Sequence, residues 1–250
     1  MPIMLLHEAA SFVESAYANE GSDFHTNGES FLLQRLSGCG FRVAFDIGAN
    51  VGDWTLAALE AWPACHCHAF EVASPTFKAL SDRVSRSPHA ARATMHCLGA
   101  SDHAGEQDMY YFPDHPELTC DLPRHEHHRV PMQGRMVRLD DYATENAVDS
   151  VDFLKIDVEG AEHRVLRGFS DWIEKQRVGC IQFEYGAFST QTRFLLADYY
   201  QLLGQLYWIG KIYPSYVDFQ DYVWTMEDFR FANYCCVSKA QPNLKAILAA

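Results

Sequence analysis

The chain has 250 residues, 48% of them apolar and 21% charged, which excludes a disordered or fibrous protein and suffices for one α/β domain with its own core. Lys and Arg total 20 against 33 Asp and Glu, a net charge of −13 that repels a phosphate backbone and argues against nucleic acid as a partner. No stretch has the apolar length of a membrane span, and the start, with His7 and Glu8 inside its apolar run, is a poor signal peptide.

Two segments with helical spacing, around Leu5 to Tyr17 and Phe31 to Leu36, predict an N-terminal helical extension over residues 1–40. From Phe41 the pattern changes to short apolar runs that each end in Gly or an acid and lead into a helical stretch, the signature of βαβ units. Strands are expected at Arg42 to Ile47, His66 to Phe70 and Thr94 to Ala100, with helices at about Val51 to Trp62 and Pro75 to Val84. An insertion at about 101–142 follows, with strand-like pieces at Asp108 to Phe112 and Gly134 to Leu139 around a stretch rich in Pro and His. The second half resumes with strands at Val151 to Ile156 and Gly179 to Phe183, helices at about Ala161 to Phe169 and Thr192 to Leu203, and final strands at Leu206 to Ile212 and Tyr234 to Ser238. The expected fold is therefore α/β, a doubly wound, mostly parallel seven-stranded sheet over residues 41–250. Cys65, Cys67, Cys97, Cys180, Cys235 and Cys236 fall in apolar segments that read as strands, where reduced cysteine belongs, so a cytoplasmic protein without disulfides is expected.

The turn Phe45-Asp46-Ile47-Gly48-Ala49-Asn50-Val51-Gly52 sets two glycines between a buried strand and a helix, where the chain must turn tightly and admit a ligand to the backbone. A dinucleotide fingerprint reads G-x-G-x-x-G, and Asn50 stands where its middle glycine should meet a pyrophosphate. A ligand with an amino-acid end fits better: amides at the helix start hold a carboxylate, and Asp46 or Asn50 meets an ammonium. The next strand ends in Glu71, 25 residues after Asp46, close to the spacing at which an acid takes both ribose hydroxyls in this architecture.

A second cluster runs from Lys155 to Glu162. In an extended chain Lys155, Asp157 and Glu159 share one face, so either Lys155 neutralises Asp157 or the acids face the crevice at the strand ends. Glu159 and Glu162 also suit the positive start of the following helix. The next strand delivers Glu184 to the same rim.

With these residues in view, the chain resembles the FkbM family of methyltransferases, a branch of the class I, Rossmann-like enzymes. The matching pieces are Asn27-Gly28-Glu29, the glycine turn, Ala69-Phe70-Glu71, Leu98-Gly99-Ala100-Ser101-Asp102 and Lys155-Ile156-Asp157-Val158-Glu159-Gly160-Ala161-Glu162. Ala73-Ser74-Pro75 replaces the family's usual Pro-Asn-Pro beside the acid. The resemblance implies S-adenosyl-L-methionine as cofactor, bound by Glu29, Asp46, Gly48, Asn50, Gly52, Glu71, Ser101, Asp102 and Asp157. It also implies a small-molecule acceptor, a hydroxyl of a sugar or natural product.

Transfer to an alcohol oxygen needs a group that takes its proton. Asp157 is the first choice, followed by Glu159 and Glu184, and the three together could instead ligate Mg²⁺. The run His125-Glu126-His127-His128 lacks the i, i+4 histidine pair of a zinc protease and is expected to be a solvated loop or a lid. The aromatic residues from Tyr207 to Tyr234 are expected to be core or sheet cover, some of them lining the acceptor pocket. Two competing readings are an NAD-linked oxidoreductase, which needs the missing glycine, and a non-catalytic module that binds the methyl donor.

Overall fold

The computed structural model describes residues 2–122 and 128–249. Its strands are β1 (Val43–Ile47), β2 (His66–Phe70), β3 (Ala93–His96), β4 (Gly99–Ala100), β5 (Gly105–Tyr111), β6 (Val130–Val137), β7 (Val151–Ile156), β8 (Val178–Tyr185), β9 (Tyr207–Tyr213), β10 (Tyr216–Phe219) and β11 (Ala232–Ser238). Eight of them form one sheet in the order β10-β9-β11-β8-β7-β1-β2-β3. The five strands from β8 to β3 run parallel, and β11 lies antiparallel between β8 and β9. The chain leaves β1 toward β2 on one side and returns to β7 on the other. Ligands bind at such a switch point, outside the carboxyl ends of the strands.

The sheet has one strand more than expected. Tyr216–Phe219, inside the aromatic stretch, turns back from β9 as an edge strand, pairing Tyr216 with Tyr213 and Phe219 with Gly210. The expected strand Thr94 to Ala100 divides instead. Ala93–His96 stays in the main sheet, whereas Gly99–Ala100 joins a second, three-stranded sheet of order β4-β6-β5. A Cβ at Gly99 would lie 2.4 Å from Met136 Sδ, so the missing side chain is what allows β4 to press against β6. Cys97, just past the break, is exposed and not in a strand.

Period-two alternation sends Phe45, Ile47, Leu154 and Ile156 to one core and Ala44 and Phe153 to the other, and helices cover both faces, as a parallel sheet requires. Leu32, Leu33 and Leu36 are buried in the second core beside Trp54 and Trp62. The helix Pro2–Ala18 stays outside, with Leu5, Leu6 and Phe12 exposed. The expected helix Thr192 to Leu203 is broken: Arg193 has φ 59°, and a new helix, Leu196–Leu203, starts where Asp198 accepts from Leu195 N and Glu227 from Ala197 N. Those side chains satisfy the free amides of its first turn. No helix among the described residues is long and apolar enough to cross a membrane.

Candidate active site

A cavity of about 300 Å³ opens at the switch point. Its floor is the glycine turn, held from two sides. Gly48 N and Ala49 N donate to Phe70 O at 3.0 and 2.8 Å, and Asp157 N donates to Ile47 O at 2.9 Å. Gly48 has φ 83° and Asn50 φ 46°, both left-handed, a region that glycine enters freely and Asn more readily than other residues with a side chain.

Glu71 closes the turn. Its Oε2 accepts from Asn50 N at 3.0 Å and its Oε1 from Ala73 N at 2.8 Å. Burial pushes its carboxyl up to about 7, against the pull of those two amides. A carboxylate accepts about four hydrogen bonds, so each oxygen keeps capacity for a ligand hydroxyl. Asn50 Oδ1, also at the cavity wall, is buried with no partner among the described residues.

Across the floor, Lys155 Nζ donates to Asp157 Oδ2 at 2.8 Å and lies 3.9 Å from Asp46 Oδ1. Burial would lower this ammonium's pKa, but the carboxylates of Asp157, Asp46 and Glu29 outweigh burial and hold it above its ordinary value. Thr55 Oγ1 donates to the fully buried Asp46 at 2.5 Å.

Glu29 reaches the same wall through a close approach at Gly28, where a Cβ would lie 2.4 Å from Tyr213 O. Asn27 Nδ2 and Gln182 Nε2 donate to its two oxygens at 2.8 and 2.6 Å, and Gln182 also donates to Asn233 at 3.1 Å. Gln182 and Asn233 were not legible as site residues, although an amide inside the apolar run Cys180 to Phe183 is the signal that could have flagged this network.

The structure brings Glu29, Gly48, Asn50, Glu71, Ser101 and Asp157 together on the cavity wall, with Glu159 and Glu184 beside Asp157. Asp46, Gly52 and Asp102 are not on it. Asp46 lies beneath, against Lys155. Gly52, at φ 88°, lets its helix approach Leu80, whose Cδ1 would be 2.7 Å from an added Cβ. Asp102 turns aside to His103 at 3.1 Å and Ser101 at 3.3 Å. Glu162 is a structural acceptor: its Oε1 takes the amides of Val158 and Gly160 at 3.2 and 3.1 Å.

Asp157, Glu159 and Glu184 each place a carboxylate oxygen within 4.8 Å of the others. Burial, followed by the charges of Asp157, Glu159 and Glu162, raises the Glu184 carboxyl well above the ordinary range, with Lys155 opposing. Such a group can store a proton, and three hard oxygens at this spacing could also hold a divalent cation.

Of the aromatic residues expected near the acceptor, Phe231 lines the cavity, Tyr207 and Tyr234 are core, and Trp224 is exposed. Residues 125–127 of the His-rich run lie outside the described residues. His128 is exposed, 4.0 Å from Asp114.

A Methyltransferase FkbM domain matches residues 46–209. The chain is 33% identical over 157 residues to the 31-O-demethyl-FK506 methyltransferase FkbM of Streptomyces tacrolimicus, a match covering 52% of this chain and 60% of that one. It is 25% identical over 183 residues to the methyltransferase sdnD of Sordaria araneosa, covering 61% of this chain and 71% of that one. The solved methyltransferase FkbM of Methylobacillus flagellatus superposes with a TM-score of 0.51 at 16% identity, covering 79% of this chain and 44% of that one. The chain thus spans less than two thirds of the length of two of these three proteins. The fold is that of the class I methyltransferases. The chain belongs to the FkbM family of methyltransferases, and it is this family match that speaks against the oxidoreductase reading.

Proposed function

We propose that this chain uses S-adenosyl-L-methionine to methylate a hydroxyl oxygen of a small molecule, a sugar or other secondary metabolite. The observation that carries the reading is the Glu71 carboxylate lying against the glycine turn, bonded to Asn50 N. That pairing suits a ribose that bridges the ends of β1 and β2. Asn50 and Glu29, both on the cavity wall, suit an ammonium donor. Among the described residues the cavity wall carries Glu29, Glu117, Asp121, Asp157 and Glu159, besides the raised carboxyls of Glu71 and Glu184, against one guanidinium, that of Arg164, a balance that favours a cofactor of net positive charge.

When bound, the cofactor supplies a methyl carbon activated by its sulfonium. The chain's own residues supply alignment and proton removal. The glycine turn and Glu71 fix the nucleoside, and the acceptor enters on the side of Asp157, Glu184 and Phe231. Transfer of the methyl would break its bond to sulfur and leave the cofactor as a neutral thioether, and the acceptor oxygen's proton would pass to Asp157, with Glu184 the next carboxyl in reach. The name of the Streptomyces relative specifies a substrate lacking a methyl group on oxygen, which supports oxygen as the acceptor atom. The acidic surface charge speaks for a small-molecule partner rather than nucleic acid.

Thermal melting tests the reading. Saturating S-adenosyl-L-methionine should raise Tm by several degrees, as expected for a ligand that binds only the folded state, and Glu71→Ala should abolish the shift. An unchanged Tm in the wild type would overturn the proposal.

A further inference from the structure

The helix Pro2–Ala18 rests on the body by its polar side. Ser11, Ser15 and Ala18, one line along the helix, are its half-buried residues among those described, and Glu14 beside that line reaches Arg230 at 2.9 Å. With about 3.6 residues per turn, Leu5, Leu6, Phe12, Val13 and Tyr17 fall on the opposite half, where they are 65% to 83% exposed. A surface helix ordinarily turns such a stripe toward the core, and this one turns it outward. Together with the alanines between them, these side chains offer roughly 600 Å² of apolar surface. That is the upper end of the largest apolar patch on a typical monomer and most of the ~800 Å² that each partner buries in a stable complex.

The centre of the face has a pattern of its own. Leu5, Ala9, Phe12 and Ala16 follow the alternating spacing of four and three at which one helix packs along another. Large and small side chains alternate along it, so the seam read backwards is the complement of the seam read forwards. Reversal sets Leu5 over Ala16 and Phe12 over Ala9, which is the self-complementarity of a two-fold contact between identical chains. Charge points the same way. The helix carries Glu8 and Glu14 and no Lys or Arg, on a chain of net charge −13, whereas helices that lie on anionic lipid carry Lys and Arg on their polar side. The seam itself is uncharged, and repulsion between the rest of two copies is screened beyond about 8 Å at physiological salt.

We propose that this helix joins two copies of the chain: the apolar faces pair antiparallel about a two-fold axis, each large side chain seated over an alanine of the other copy. The inference is independent of the methyl-donor reading above.

Sedimentation equilibrium of the full chain from about 1 to 100 µM, at ~0.15 M salt, tests it. The wild type should reach twice the chain's 28.4 kDa at the upper concentrations. Phe12 is 77% exposed, so Phe12→Glu should leave the fold intact and weaken the dimer by at least about 100-fold. Ala9→Phe adds apolar surface but sets ring against ring in the antiparallel pair, and it should weaken the dimer by about tenfold or more. A wild type that stays monomeric throughout, a dimer unchanged by Phe12→Glu, or tighter association in Ala9→Phe would each overturn the proposal. So would flotation of the wild type with phosphatidylcholine vesicles, which would make a lipid surface the occupant of the face.

Discussion

Gly48 carries its backbone against the carbonyl of Asp157 so closely that an added Cβ would stand 1.8 Å from that oxygen. The first residue past β1 and the first past β7 are thus locked together where the cofactor is proposed to lie. The contact tolerates no side chain, and the φ of 83° disfavours one independently.

Gly48→Ala should therefore cost more than about 3 kcal/mol, the combined effect of a strained φ and a backbone collision. Urea unfolding measures it. A loss under about 1 kcal/mol would show that the turn yields more easily than its geometry indicates.

The charge state of Glu71 governs the second expectation. Burial raises its carboxyl to about 7 in the free protein, and ribose hydroxyls donate best to the ionised form. Affinity for S-adenosylhomocysteine should then rise roughly tenfold from pH 6 to pH 8 and level off above, as the carboxylate becomes the dominant form. Glu71→Gln should bind weakly with no such slope. A wild-type affinity that stays flat across that range would remove Glu71 from the binding step.

Much of this site was legible in the sequence, and the reason is punctuation. Glycines between a buried run and a helix mark Gly48 and Gly52, and the acids ending β2, β7 and β8 stand out because charge is rare at the end of an apolar strand. The Asn27-Gly28-Glu29 turn was readable as a motif, though its contact with Tyr213 was not. What escaped were partnerships across long separations. Glu29, Gln182 and Asn233 are hydrogen-bonded together from three elements with no shared periodicity. The division between β3 and β4 depends on Met136 pressing on Gly99 from a distant strand, which no local pattern encodes. The edge strand β10 was hidden because its aromatic residues read equally as cover and as strand.

Lys155 should prove a stabilising residue through the charges it serves. Lys155→Met would leave Asp46, fully buried, and Asp157 facing each other without a cation, at a cost of about 3–5 kcal/mol for a broken buried pair. Adding Asp46→Asn should recover part of that loss, because the remaining charge is then closer to water. Urea midpoints of the single and double variants measure both effects, and equal stability of the two would contradict the coupling.

Glu162 offers a test in which pH changes stability with a defined sign. Burial raises its carboxyl from 4.5 to about 7, so the folded chain holds this proton where the unfolded chain has released it. Its contribution is whole below pH 4.5 and is lost as pH rises toward 7, a change of about 3 kcal/mol. Glu162→Gln retains Oε1 as acceptor for the Val158 and Gly160 amides but has nothing to ionise. Relative to the variant, the wild type should lose stability steadily from pH 5 to pH 8. Parallel pH profiles for the two proteins would contradict the buried ionisation.

Asp157 carries the chemical step in the proposed mechanism, and its replacement separates binding from turnover. Asp157→Asn keeps the shape of the side chain and an acceptor oxygen for Lys155 Nζ, so the melting shift with S-adenosyl-L-methionine should change little. Turnover should fall by roughly 10²- to 10⁴-fold, the usual contribution of a positioned base. If the three carboxylates instead hold a divalent cation, a chelator should reduce wild-type turnover to a similar extent and added Mg²⁺ should restore it. The base reading requires chelator-treated wild type to keep its rate while the variant loses it. Unchanged turnover in Asp157→Asn would exclude Asp157 from either role and pass the proton to Glu184, the neighbour whose carboxyl is already raised by burial and by the charges around it.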